Sequence, residues 1–141
     1  LHLSIRRQRQ MCKETATRQL FSDTVIDEVT LGTTKAEKQH IDAHAILEEL
    51  DLADHEADHP QALSGGQRQR LVIATALAAN KKVYIFDEPS SGVGYKHLVA
   101  ISRVMRKLAD TGAVVIVITH DAELVTEVAD LSVRLDQINA C

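Results

Sequence analysis

Val83-Tyr84-Ile85-Phe86-Asp87-Glu88-Pro89 and Ala113-Val114-Val115-Ile116-Val117-Ile118-Thr119 bracket a segment in which Leu98, Ile101, Met105 and Leu108 recur at intervals of three and four. The two outer runs are short, rich in β-branched and aromatic residues, and flanked by polar ones, which is the pattern of buried strands. The segment between them has the period of an amphipathic helix and ends at Thr111-Gly112, where glycine suits a helix C-terminus. Strand, helix and strand in that order make a βαβ unit, and hence an α/β fold with a parallel sheet and flanking helices.

Downstream, the sequence predicts a helix from Asp121 to Ala129 and an alternating strand through Leu131, Val133 and Leu135. Upstream, Leu71, Ala74, Leu77 and Ala78 mark a helix that starts near Ser64 and runs out around Asn80. Before it, Asp51 to Gln61 is acidic and contains Pro60, which cannot continue a helix, so it reads as a linker. Ile41, Ala45, Leu47 and Leu50 predict one amphipathic helix over Lys35 to Leu50. Three regions are therefore expected: a basic, poorly ordered lead-in over 1–18, a helical subdomain over 19–80, and an α/β half over 81–141.

The chain has 141 residues, 45% hydrophobic and 26% charged, enough to bury a core without a disulfide or metal. Cys12 and Cys141 stand near opposite ends and form neither a disulfide framework nor a metal-ligand spacing, which suits a reducing compartment such as the cytoplasm. The longest apolar run, Ala113 to Ile118, is far shorter than the roughly 20 residues a membrane helix needs. Residues 1–19 carry five basic residues against Glu14, and the remaining 122 carry eleven basic against nineteen acidic. An acidic body argues against nucleic acid as the main partner, because that binding leans on basic surface.

Three features carry chemistry. Leu63-Ser64-Gly65-Gly66-Gln67-Arg68-Gln69-Arg70-Leu71 opens a helix. Ser64 and Gln67 have the spacing of a capping box, and the glycines suit a tight turn; equally, two glycines strip side chains from a helix N-terminus, where amides and dipole favour a phosphate. Asp87 and Glu88 follow a strand at the carboxyl edge, where open α/β sheets bind ligands. An Asp there can hold Mg²⁺, and a Glu can deprotonate a water. His120 follows the next strand and is expected at the same edge, able to donate to a phosphate. His55-Glu56-Ala57-Asp58-His59 fits the zinc motif H-E-x-x-H, but its acidic, sparsely apolar context with Pro60 directly after does not support a buried metal helix. His40 and His44 read as solvent-facing.

Leu63 to Leu71, Asp87-Glu88-Pro89 and Thr119-His120-Asp121, in that order, resemble the signature motif, Walker B motif and switch histidine of ATP-binding cassette (ABC) ATPases, over roughly residues 19–135. Gln19 to Val29 is similar to the segment after the Q-loop in energy-coupling-factor and cobalt-type importers. The resemblance implies a partial P-loop NTPase fold with a helical signature subdomain. It implies Asp87 positioning Mg²⁺, Glu88 as catalytic base and His120 sensing the γ-phosphate. Ser64, Gly65, Gly66 and Gln67 would contact ATP held mainly by a second ABC ATPase subunit in a homo- or heterodimer. Membrane-spanning transporter subunits would be further partners, and the chain would sit on the cytoplasmic face of the membrane.

The departures are specific. None of the six glycines starts the P-loop spacing G-x-x-x-x-G-K-S/T. Glu14 falls where the Q-loop glutamine is expected, Gln10 reaching that place only with a gap, and Gly94 stands where the family carries an Asp that couples two sites. With Leu1 at its start and an unpatterned head, the chain is expected to be the C-terminal part of an importer ATPase, cut short or left by a damaged gene, and inactive in isolation. The alternatives are a non-catalytic subunit lending Ser64–Gln67 to a partner's ATP, and a non-transport member of the superfamily acting in DNA repair or translation.

Overall fold

The computed structural model describes residues 20–134. The basic head, Gln10, Glu14 and Leu135 lie outside the described residues. In the helical part, α1 (Val25–Val29) is capped by Thr24, whose hydroxyl accepts the Asp27 amide at 3.3 Å. Just after comes the first difference from expectation. Instead of one helix over 35–50 there are two, α2 (Lys35–Lys38) and α3 (Ala43–Glu49). The Asp42 carboxylate accepts the Ala45 amide at 3.0 Å, taking the donor that a continuous helix would spend on a carbonyl.

The segment expected as a linker is packed. Two 3-10 turns, Ala53–His55 and Pro60–Ala62, hold Leu52 and Pro60 in the interior. The α1 amides of Val25 and Ile26 donate to the carbonyls of Asp58 and Glu56 at 2.9 and 3.1 Å. Its acidic composition hid two anchors: one apolar side chain at each end suffices to pin a short segment whose charges point outward. Asp51, with a left-handed φ of 57°, reaches Lys96 at 3.1 Å and His97 at 3.0 Å. These contacts, His97 foremost, hold its carboxyl below the ordinary value.

α4 (Gly65–Ala78) buries Leu71, Ile73 and Ala74 and leads to the α/β part. There β1 (Val83–Asp87), α5 (Tyr95–Asp110) and β2 (Val114–Ile118) form the expected βαβ unit, with β1 and β2 parallel from Val83 opposite Val114 to Asp87 opposite Ile118. α5 buries Leu98, Ile101, Val104, Met105 and Leu108 in a core continuous with that of the helical part. The strands are covered on one face only. Tyr84 and Phe86 point inward, while Val83, Ile85, Val114, Ile116 and Ile118 are exposed, because no layer among the described residues packs on their side.

α6 (Ala122–Val128) starts at Asp121, whose carboxylate accepts the amides of Glu123 and Leu124, and it buries Leu124. The strand expected through Leu131 and Val133 is not formed over the described residues. Both side chains are more than four-fifths exposed, and Arg106 ties the segment back by bonding the Val128 carbonyl and Asp130. Alternation alone makes no strand until the segment pairs with a sheet edge, and over the described residues this one does not.

Two outcomes test this packing. Leu52→Ala is expected to cost about 2–5 kcal/mol by urea unfolding, whereas Asp54→Ala stays within about 0.5 kcal/mol; similar small values for both would return the segment to a linker. Because the Asp51 carboxyl is depressed by folding, its contribution is full above the ordinary value of 3.8 and is lost as pH falls through the lower folded value. Asp51→Asn should therefore lower stability near neutral pH and flatten the acid limb of the stability curve.

Candidate functional site

The carboxyl ends of the two strands bring Asp87, Glu88 and His120 to one edge. Asp87 ends β1 and is exposed. Glu88 follows with φ of 53°, a conformation that strains any residue with a Cβ. Its amide donates to the Ile118 carbonyl at 2.8 Å, adding one rung beyond the paired strands and fixing Glu88 beside the end of β2. There His120 Nδ1 lies 2.8 Å from Glu88 Oε1, and the Thr119 hydroxyl 3.4 Å from Oε2. The Glu88 side chain is 15% exposed and that of His120 is 87% exposed, so one carboxylate is held in a partly dry corner by a ring that faces solvent.

The support was not legible in the sequence. The Thr119 hydroxyl also accepts the Asp121 amide at 3.0 Å, and Asp121 caps α6. A hydrogen bond from Ser90, then the amides of Leu124 and Glu123, hold the Asp121 carboxyl below the ordinary range, so it stays an acceptor anchoring the loop that carries His120.

Ser64–Gln67 form a separate cluster at the start of α4. The capping box is present: Ser64 Oγ accepts the Gln67 amide at 3.3 Å, and Gln67 Oε1 accepts the Ser64 amide at 2.8 Å. The two glycines differ. A Cβ on Gly65 would meet nothing within 4 Å, whereas one on Gly66 would lie 2.9 Å from the Gly92 carbonyl oxygen. Gly92 belongs to the turn after Glu88 and itself has φ of 76°. Gly66 is thus where the turn after β1 closes on α4, and Gly65 is the open one. No hydrogen bond found among the described residues joins Ser64–Gln67 to Asp87, Glu88 or His120. Gly94 starts α5 without a side-chain cap.

The H-E-x-x-H segment does not form one helix. His55 ends a 3-10 turn and bonds Asp58 at 2.7 Å, and His59 caps the next turn, so the two rings do not share a helical face. His44, expected to face solvent, is exposed and bonds Glu56, which raises its pKa.

The sequence pattern of ABC transporters matches residues 2–91, more than half of the chain and inclusive of most of the basic head. The chain belongs to the ABC transporter family. An ABC transporter ATP-binding protein of Treponema denticola is 40% identical over 126 residues, 89% of this chain and 25% of the relative. The L-cystine import ATP-binding protein TcyN of Bacillus subtilis is 39% identical over 119 residues, 81% of this chain and 46% of its own. An ATP-binding cassette solved as a dimer in a post-hydrolysis state with ADP and Pi superposes with a TM-score of 0.62 at 27% identity, over 77% of this chain and 53% of that one. The ABC chain described here thus spans between about a quarter and about half of these proteins, and its α/β architecture is a partial P-loop NTPase fold.

The unequal glycines give a direct test. Gly66→Ala is expected to destabilise the chain by about 1–3 kcal/mol through overpacking against Gly92, and Gly65→Ala by less than about 0.5 kcal/mol. Thermal unfolding of the two variants checks it, and equal effects would remove the packing role assigned to Gly66.

Proposed function

We propose that this chain is the signature-bearing and Walker B-bearing part of an ATP-hydrolysing subunit that energises solute import. The observation that carries the reading is the Glu88–His120 pair at the carboxyl edge of a parallel sheet, next to Asp87. Residues 19–80 form its helical signature subdomain and 81–141 the second half of its nucleotide-binding core. Its partners are a second ABC ATPase subunit and membrane-spanning subunits, with ATP as substrate and Mg²⁺ as cofactor, at the cytoplasmic face of the membrane. No helix among the described residues is long and apolar enough to cross a membrane.

The residues suit these ligands. Asp87 offers exposed carboxylate oxygens, the donors that Mg²⁺ prefers. A Cβ on Gly65 would meet nothing within 4 Å, so that side of the α4 N-terminus is clear for an anion. Mg²⁺, when bound, offsets charge on the β- and γ-phosphates.

Glu88 is set to act as base. His120 occupies Oε1 and leaves Oε2, with Thr119 at 3.4 Å, to take a proton from an attacking water. With Nδ1–H given to Glu88, the free nitrogen of His120 is Nε2. That nitrogen is the ring atom left to meet a phosphate, and a hydrogen carried there would be donated to it. Ser64–Gln67, unconnected to this cluster, serve the ATP held mainly by the other subunit. The phosphate-cradling P-loop comes from residues outside these 141.

Titration of the isolated chain with Mg-ATP is expected to give weak binding, and micromolar affinity would overturn the external cradle. In a longer chain that carries its own P-loop, paired with a second ABC ATPase subunit, Glu88→Gln should lower hydrolysis about 100- to 10,000-fold, the usual weight of a general base. If Ser64→Arg lowers it and Glu88→Gln does not, the chain lends its signature turn without catalysing.

A further inference from the structure

A hydrogen-bonded chain runs from the acidic segment into the first turn of α4, and its direction is fixed at both ends. Asp58 Oδ2 lies 2.7 Å from His55 Nδ1, and His55 Nε2 lies 2.7 Å from Gln67 Nε2. Gln67 Oε1 in turn lies 2.8 Å from the Ser64 amide. The Ser64 amide is a donor only, so the Gln67 oxygen must face it and the Gln67 NH₂ must face His55. An ionised Asp58 is an acceptor only, so His55 Nδ1 must carry hydrogen. His55 Nε2 is then a bare lone pair accepting from Gln67. Each of the three contacts pairs a donor with an acceptor only while His55 is neutral.

We propose that His55 is a positioning residue that latches the Gln67 amide onto the cap of α4, and that protonation of His55 releases the latch. Imidazoles titrate within about pH 5 to 8. An added Nε2–H would face the Gln67 NH₂, donor against donor. Gln67 relieves this only by turning away or by flipping, and a flip points NH₂ at the Ser64 amide and breaks the capping box. Acid therefore opens the turn that carries Gly65, Gly66 and Gln67.

The charged surroundings leave this to His55 itself. On its own segment, Asp54 is exposed, Asp58 is the Nδ1 partner, and Glu56 is bonded to His44 of α3. On α4, the Arg68 guanidinium donates to the Leu63 carbonyl. On α1, Asp27 accepts the Thr24 hydroxyl and Glu28 the amides of Phe21 and Ser22. The latch stands without the proposed nucleotide reading; only its consequence, a weaker signature turn toward a partner's ATP at low pH, rests on that reading.

The test is an NMR titration of the ¹⁵N-labelled 141-residue chain without nucleotide. Near pH 8, the His55 imidazole should show hydrogen on Nδ1 and a bare Nε2. On acidification, the Gln67 side-chain amide and the Ser64 backbone amide should shift with the His55 midpoint. Protection of the Ser64 amide, corrected for intrinsic exchange, should fall about fivefold, the weight of one ordinary hydrogen bond. An Nε2–H tautomer at high pH, or a Ser64 signal indifferent to His55, overturns the proposal on the wild-type chain alone. His55→Gln, an acceptor that does not titrate, should keep Ser64 protected at all pH. His55→Lys, a permanent donor, should leave it open, and His44→Gln should preserve the wild-type profile. An intact titration with no effect of Ser64→Arg on hydrolysis by the paired ATPase subunits would count against the nucleotide reading and leave the latch in place.

Discussion

The parallel register of β1 and β2 is the constraint on which the rest depends. It pairs Asp87 with Ile118, and the Glu88 amide then adds one more bond to the Ile118 carbonyl. That bond holds Glu88 in a left-handed conformation costing about 1–3 kcal/mol, and it sets the carboxylate against Thr119 and His120 instead of letting the chain run straight. A slip of one residue would turn every strand side chain to the opposite face. Tyr84 and Phe86, stacked with ring centroids 6.2 Å apart, would then leave the core, so burial and site geometry enforce the same register.

The turn after Glu88 carries this order to α4. Gly92, left-handed, brings its carbonyl oxygen to within 2.9 Å of where a Cβ on Gly66 would sit, so the start of α4 is seated on the loop that follows Glu88. Asp51 reinforces the same junction from the other side by holding Lys96 and His97 in the first turn of α5. The Ser64–Gln67 turn and the segment after Glu88 are thus mechanically adjacent, with no hydrogen bond found between Ser64–Gln67 and Glu88 among the described residues.

The βαβ unit was legible because its signals are local and periodic: a run of β-branched residues, a stripe at three and four, and another run. Asp87, Glu88 and His120 followed from topology, since parallel strands put their carboxyl ends at one edge. What was not legible depends on distant partners. Asp42 split a periodic helix because its carboxylate competed for one amide. Leu131 and Val133 alternate correctly but pair with neither β1 nor β2 among the described residues. Gly65 and Gly66 are identical letters, distinguished only by a carbonyl 26 positions away, and the contact of His55 with Gln67 joins residues on two different elements.

The half-covered sheet bears on the site itself. Val83, Ile85 and Asp87 alternate onto one face of β1, in register with Val114, Ile116 and Ile118 of β2. Five aliphatic side chains exposed side by side cost free energy in water, so a layer that packs on them is favoured by the hydrophobic effect. Because Asp87 closes the same row, any such layer must run its end past the Asp87 carboxylate, beside the Glu88–His120 pair. Covering the apolar face and bringing new groups to the acidic edge are therefore one geometric event: the face left open among the described residues is also the one that borders the acidic edge.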